Sequence, residues 1–224
     1  MSKRKTKRIR KSAARPASRT VPAAPAGPLL FKTLLHGASM HGGSLQWSLP
    51  RDGKPGDWHE VEGEISLCNR GLHLTDDPAQ WWEAGCVVFV AEGDGILGSC
   101  DAEHDRKVVC RRARLIREAT VDELTALRIY SSGAHEATPG KVSVASDSAT
   151  VEAWDSATVR AWGSATVRAS DSATVEASGS ATVVSWWGKP GVKLIPKSRA
   201  VWVERGNNDA VPLLHSAPES EFTP

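Results

Sequence analysis

Five copies of one octad, Asp/Gly-Ser-Ala-Thr-Val-x-Ala/Ser-Trp/Ser, run without a break from Asp147 to Trp186. Every copy must make the same local structure and bury the same side chains against the next copy, so the tract is a stack of repeats rather than a bundle or an open sheet. Within each copy Ala-x-Val-x-Ala alternates with Thr, a variable residue and Trp or Ser, the period of two that sends one set of side chains to each face of a strand. The Asp/Gly-Ser step lies between strands, where Gly tolerates tight backbone and an Asp side chain bonds to amides two residues on. Strand, corner, strand at a fixed short period predicts a β-solenoid.

The variable position sets the coil length. It carries Glu152, Arg160, Arg168, Glu176 and Val184. If one octad were a whole coil, Arg160 would stack on Arg168 at the ~4.8 Å strand spacing, a like-charge contact. With two octads per coil, Glu152 meets Arg168 and Arg160 meets Glu176. The charges therefore predict a narrow two-sided coil of paired octads, with Trp154, Ser170 and Trp186 in one column and Trp162 over Ser178 in another. Exposed coil ends would leave unpaired strand edges. Val192 to Ile195 and Ala200 to Glu204 read as terminal strands covering the last coil, and Val142-Ser-Val-Ala145 reads as an upstream half-coil out of phase by one residue. In spacing and corner chemistry the tract resembles the octad repeats of bacterial ice-nucleation proteins.

Upstream, Phe31 to Leu35, Leu45 to Leu49, Cys86 to Ala91 and Val108 to Ile116 read as strands. Thr75-Asp-Asp-Pro78 reads as a helix start with an Asp cap and Pro at the first position. Thr120-Val-Asp-Glu123 is a capping box opening a helix through about Ile129. The expected organisation is a disordered basic tail over 1–28, an α+β domain over 29–130, the β-solenoid with its cap strands over 131–205 and a polar C-terminal tail over 206–224. No apolar run approaches the ~18 residues of a membrane span, and no secretory leader pattern opens the chain. Both point to a cytoplasmic protein without a membrane partner.

Charge is unevenly spread. Nine of the 28 Lys and Arg lie between Lys3 and Arg19, and the first acidic residue is Asp52, which leaves 19 basic against 26 acidic residues in the remainder. Lys3, Arg4, Lys5, Lys7, Arg8, Arg10 and Lys11 form a cationic run with almost no large apolar side chain, the composition of a disordered segment. Such a run suits nucleic acid or another acidic surface, held by counterion release. No aromatic residue interleaves it to stack on bases.

Four cysteines without a Cys-x-x-Cys pair read as reduced thiols. Cys100, His104 and Cys110 are the only residues with even a loose metal-ligand spacing, with Cys68 or His73 as a fourth, and they match no closed zinc pattern. The competing reading is a polar loop over Gly93 to Asp105 flanked by buried thiols. No cofactor is expected. Nine tryptophans against one tyrosine offer Trp154, Trp162 and Trp47 or Trp58 as anchors for a protein partner or for self-association through the solenoid. The alternative is that they pack the solenoid flank against the N-terminal domain.

The stretch Cys68-Asn-Arg70-Gly71-Leu72-His73, followed by Pro78 and the pair Trp81-Trp82, resembles a small domain of unknown function found in phage and prophage proteins. That family often carries a degenerate Ser/Ala-rich octad tract downstream. The chain differs from it at Leu72, where an aromatic is usual, and at Thr75, where a second cysteine often stands. The resemblance implies a phage or mobile-element setting and no reaction. A second resemblance, of Leu35-His36-Gly37 and Gly71-Leu-His73-Leu-Thr75 to the His-Gly and Gly-aromatic-x-Thr elements of ADP-ribosyltransferase-like domains, implies an NAD-using enzyme with His36 and His73 in its site. The expected function is a non-enzymatic interaction protein. An enzyme of that kind and a purely structural phage component are the alternatives.

Overall fold

The structure is a computed structural model that describes residues 29–40, 45–67, 69–100, 106–188, 190–195, 198–205 and 212–218. The basic segment 1–28 with its cations, together with Cys68 and His104, lies outside the described residues. The N-terminal body is built on a long hairpin, β5 (Val87–Cys100) and β6 (Lys107–Glu118), with β1 (Leu30–Leu35) and β2 (Ala38–Ser39) ahead of β5 in one antiparallel sheet. The short strands β3 (His59–Glu60) and β4 (Leu72–Leu74) pair successive stretches of the far edge of β6. Backbone hydrogen bonds between Phe31 and Thr75, at 2.7 and 3.0 Å, then tie the end of β4 back to β1. The sheet thus closes on itself as a small barrel. Leu34, Leu72, Leu74, Phe89, Cys110 and Leu115 are among its interior residues, with Trp47 packed among them.

This body is mostly β, with very little of the expected helix. The segment after Asp77 makes a single 3₁₀ turn, Pro78–Trp81. Its predicted Asp cap does not form, because the Asp77 carboxylate turns to Arg128 instead. The capping box at Thr120 is present in both halves, with Thr120 N donating to Glu123 Oε2 at 2.8 Å and Glu123 N to Thr120 Oγ1 at 3.3 Å. It opens only the six-residue α1 (Val121–Ala126), since Arg128 enters the left-handed region at φ 63° and the chain leaves as a strand. Two further differences have simple causes. Gly93 to Cys100 continues β5 rather than looping, because the hairpin partner β6 runs alongside it throughout. Leu45 to Leu49 is irregular, joined to the sheet through a bridge of Gln46 to Ala38.

From Ile129 the chain winds into a solenoid of about four turns. One parallel sheet contains β7 (Ile129–Tyr130), β9 (Val142–Ala145), β11 (Thr158–Ala161), β13 (Thr174–Ala177) and β15 (Gly191–Leu194). The other contains β8 (Ala134–Glu136), β10 (Thr150–Ala153), β12 (Thr166–Asp171), β14 (Thr182–Gly188), β16 (Val201–Glu204) and the antiparallel β17 (Leu213–Ser216). Thr150 pairs with Thr166 and Thr166 with Thr182, so two octads make one coil. Ala149, Val151 and Ala153, and their equivalents in the following octads, fill the interior and are at most 3 % exposed. The predicted charge ladder is in place, with Arg168 Nη1 at 3.0 Å from Glu152 and Arg160 Nε at 3.8 Å from Glu176.

Asp147, Asp155, Gly163, Asp171 and Gly179, the first residue of every octad, all adopt φ between 49° and 65°. These are the corners, and Asp and Gly are among the residues that visit the left-handed region at least cost. Each solenoid end is closed by a ring stack on the inward rows. Tyr130 stacks on His135 at 3.9 Å, and Trp202 on His215 at 4.3 Å. Ser185, which replaces the octad's usual Ala, accepts a 2.9 Å hydrogen bond from the Trp202 indole. The expected cap strands β15 and β16 continue the coil in parallel, and β17, within the segment read as a polar tail, covers β16.

Barrel and solenoid share a core. The alternation of β9 is out of phase with the octads by one residue, as expected: Ser143 takes the inward place of Val159, and Val144 the outer-row place of Arg160. Val144 is apolar because Phe31, Ala79, Trp82, Val88 and Val90 of the barrel cover it.

Candidate functional site

Among the described residues, those singled out in the sequence do not converge on one place. His36 sits on the β1–β2 turn at φ 51° and is exposed, whereas His73 lies on β4 beside a cavity that His36 does not line. The structure therefore does not assemble the two histidines into one pocket. Arg70 is exposed and donates to the Glu62 carbonyl at 2.7 Å. Gly71, at φ 143°, lies so close to β6 that an added Cβ would meet Val109 Cγ2 at 2.2 Å, and Pro78 is fully buried at the start of the 3₁₀ turn. Along this motif Arg70, Gly71 and Pro78 shape the backbone, and His73 faces the cavity.

Cys110 is fully buried in the barrel, and burial pushes its thiol up to about 11, with the Asp94 carboxylate adding to the rise. That favours an inert thiol over a metal ligand. Cys100 ends β5 opposite Lys107. Among the described residues no group of three His, Cys, Asp or Glu is placed to hold a metal ion. Trp162 is an internal contact rather than a free anchor, edge-on to Trp82 at 5.1 Å. Trp154 is half-buried on the opposite side of the coil. Trp47 is buried, its indole donating to Ser39 Oγ at 2.9 Å, and Trp58 is covered by the guanidinium groups of Arg112 and Arg114 at 4.8 and 4.7 Å.

The feature with the geometry of a site is a cavity of about 290 Å³ at the barrel seam, beside the Phe31–Thr75 backbone bridge that joins β1 to the end of β4. Lys32 reaches across this seam and donates to the His73 carbonyl at 3.2 Å, its ammonium 5.5 Å from the centre of the Trp47 ring. Burial lowers its pKa to about 8, since a low-polarity surrounding disfavours the charged form. Lys107, also in the lining, lies 5.2 Å over the Trp81 ring. Thr33, also lining the cavity, has a buried hydroxyl without a hydrogen-bond partner among the described residues. No Asp or Glu belongs to the described lining.

Sequence reasoning missed Lys32, Lys107 and Trp81 as site residues. A lysine alternating with Phe31 and Thr33 reads as the solvent side of a strand, and only closure of the barrel turns that side inward. The one available signal was His73, which the motif had already marked and which borders the cavity. Among the described residues no helix is long and apolar enough to cross a membrane. Comparison of the chain with family models, with curated proteins and with solved structures returns no match.

Proposed function

We propose that the protein is a non-enzymatic binding protein in which the barrel takes up a small ligand at its seam and the solenoid is the rigid scaffold that carries it. The observation behind this reading is the seam cavity, where a desolvated amine, hydroxyl groups and two indoles meet in a recess. A few convergent polar groups in a mostly apolar cavity is the usual form of a small-molecule site. The basic segment from Lys3 to Arg19 adds a second contact, holding the protein on nucleic acid or another polyanion.

Each part has its own test. In the full-length protein, members of a small-fragment library should shift the backbone amide resonances of Lys32, His73 and Trp81, and a library that moves none of them removes the ligand-binding reading. For the basic segment, affinity for duplex DNA should fall about a thousandfold between 50 and 200 mM salt. It should also disappear when residues 1–28 are deleted. Binding that is insensitive to salt or survives the deletion places the polyanion contact elsewhere.

A further inference from the structure

Charge, shape and desolvation narrow the ligand. The described lining of the seam cavity contains two ammonium groups, Lys32 and Lys107, and no carboxylate. The Lys32 ammonium meets only a carbonyl oxygen and an aromatic face among the described residues, so it is a largely desolvated cation without a counter-ion among them. An anion placed there would meet a far stronger attraction than at an exposed lysine, because solvent screening is reduced. Trp47 and Trp81 are among the lining residues, and flat aromatic rings favour a planar partner. At about 290 Å³ the space is at the small end for ligand cavities, which run from roughly 300 to 1,000 Å³. Among the described residues no arginine lines the recess, and arginine is the side chain that grips phosphate through two parallel hydrogen bonds. A monoanion is the better match.

Building on the ligand-binding reading above, we propose that the seam cavity binds a small single-ring carboxylate, the carboxylate at the Lys32 ammonium and the ring against the indoles of Trp47 and Trp81.

The test is a titration of the full-length protein with benzoate, benzamide, acetate and inorganic phosphate, followed by nuclear magnetic resonance of the indole N–H groups. Benzoate should shift the Trp47 and Trp81 signals and bind at least tenfold more tightly than benzamide, acetate or phosphate. Lys32→Met keeps the aliphatic stem and removes the charge, and it should weaken benzoate at least tenfold while leaving the thermal midpoint unchanged or raised. Should that variant misfold, the wild-type ranking of the four probes decides alone. Benzamide binding as well as benzoate, or phosphate binding better, overturns the carboxylate assignment and leaves the ligand-binding reading standing. Absence of any indole shift with all four probes overturns the assignment, and the fragment screen then decides whether the cavity takes another ligand or none.

Discussion

At Gly179 the ideal position of a Cβ lies 2.9 Å from the backbone nitrogen of Gly163, one coil earlier, and φ is 65°. Gly179→Ala should therefore cost about 2 kcal/mol, from left-handed strain and a backbone clash together, and urea unfolding will measure it. Asp171→Gly on the other corner column, where Asp already tolerates the conformation at φ 54°, should change stability by less than about 0.5 kcal/mol in the same assay. These corners were readable from the sequence because only a few residue types share that backbone region. Lys32 was not readable, because nothing local to Phe31-Lys32-Thr33 distinguishes a strand facing water from one closed into a barrel. Its lowered pKa has a stability consequence. Between pH 8 and about 10.5 the unfolded chain holds a proton on Lys32 that the folded protein has lost, so this residue makes stability rise with pH across that window. Cys110, whose thiol is raised to about 11, acts in the opposite sense over much of the same range. The difference between wild type and Lys32→Met isolates the lysine, and it should grow in favour of wild type by about 1–2 kcal/mol from pH 8 to 10.5.

Elements were readable in proportion to how local their causes are. The octad strands and the capping box depend on residues within one or two turns of each other, and both form as expected. The 3₁₀ turn after Asp77 depends on a distant partner. Asp77 is a good helix cap by its own chemistry, yet Arg128, 51 positions away, takes its carboxylate. The one-residue phase shift of β9 was legible but its cause was not, because an apolar Val144 on an outer row makes sense only once the barrel is laid over it. For α1 the decisive contact is local. Hydrogen bonds from Arg117 first, and then from Thr120, hold the Glu123 carboxyl down to about 2. A depressed carboxyl contributes stability above its unfolded pKa of about 4.3 and loses it as pH falls towards 2. Glu123→Gln should cost about 1 kcal/mol at pH 7, allowing for screening of this partly exposed pair, and almost nothing at pH 2. Denaturation curves at the two pH values check the sign.

Across the whole molecule, barrel and solenoid behave as one body because their junction is a buried interface with a paired charge at its centre. Asp77 is 3 % exposed, and Arg128 joins it while also donating to the Val142 carbonyl at 3.0 Å. Arg160 adds a 3.0 Å hydrogen bond to the Gln80 carbonyl. The wild type should unfold in a single calorimetric transition. Asp77→Ala leaves the Arg128 charge without its partner and should cost about 3 kcal/mol, splitting the transition in two as the halves come apart. A variant that still melts in one step would show that the apolar contacts around Val144 and Trp82 suffice.

The pairing of octads also fixes which changes in length the chain can tolerate. One inserted octad would carry every later strand to the opposite sheet, reversing the alternation of Glu and Arg and moving Trp202 and His215 away from the column they close. Two inserted octads would restore every neighbour and raise the stack by one rung, about 4.8 Å. Growth of this molecule is therefore a matter of parity, and the distance between its two aromatic lids is counted in whole rungs.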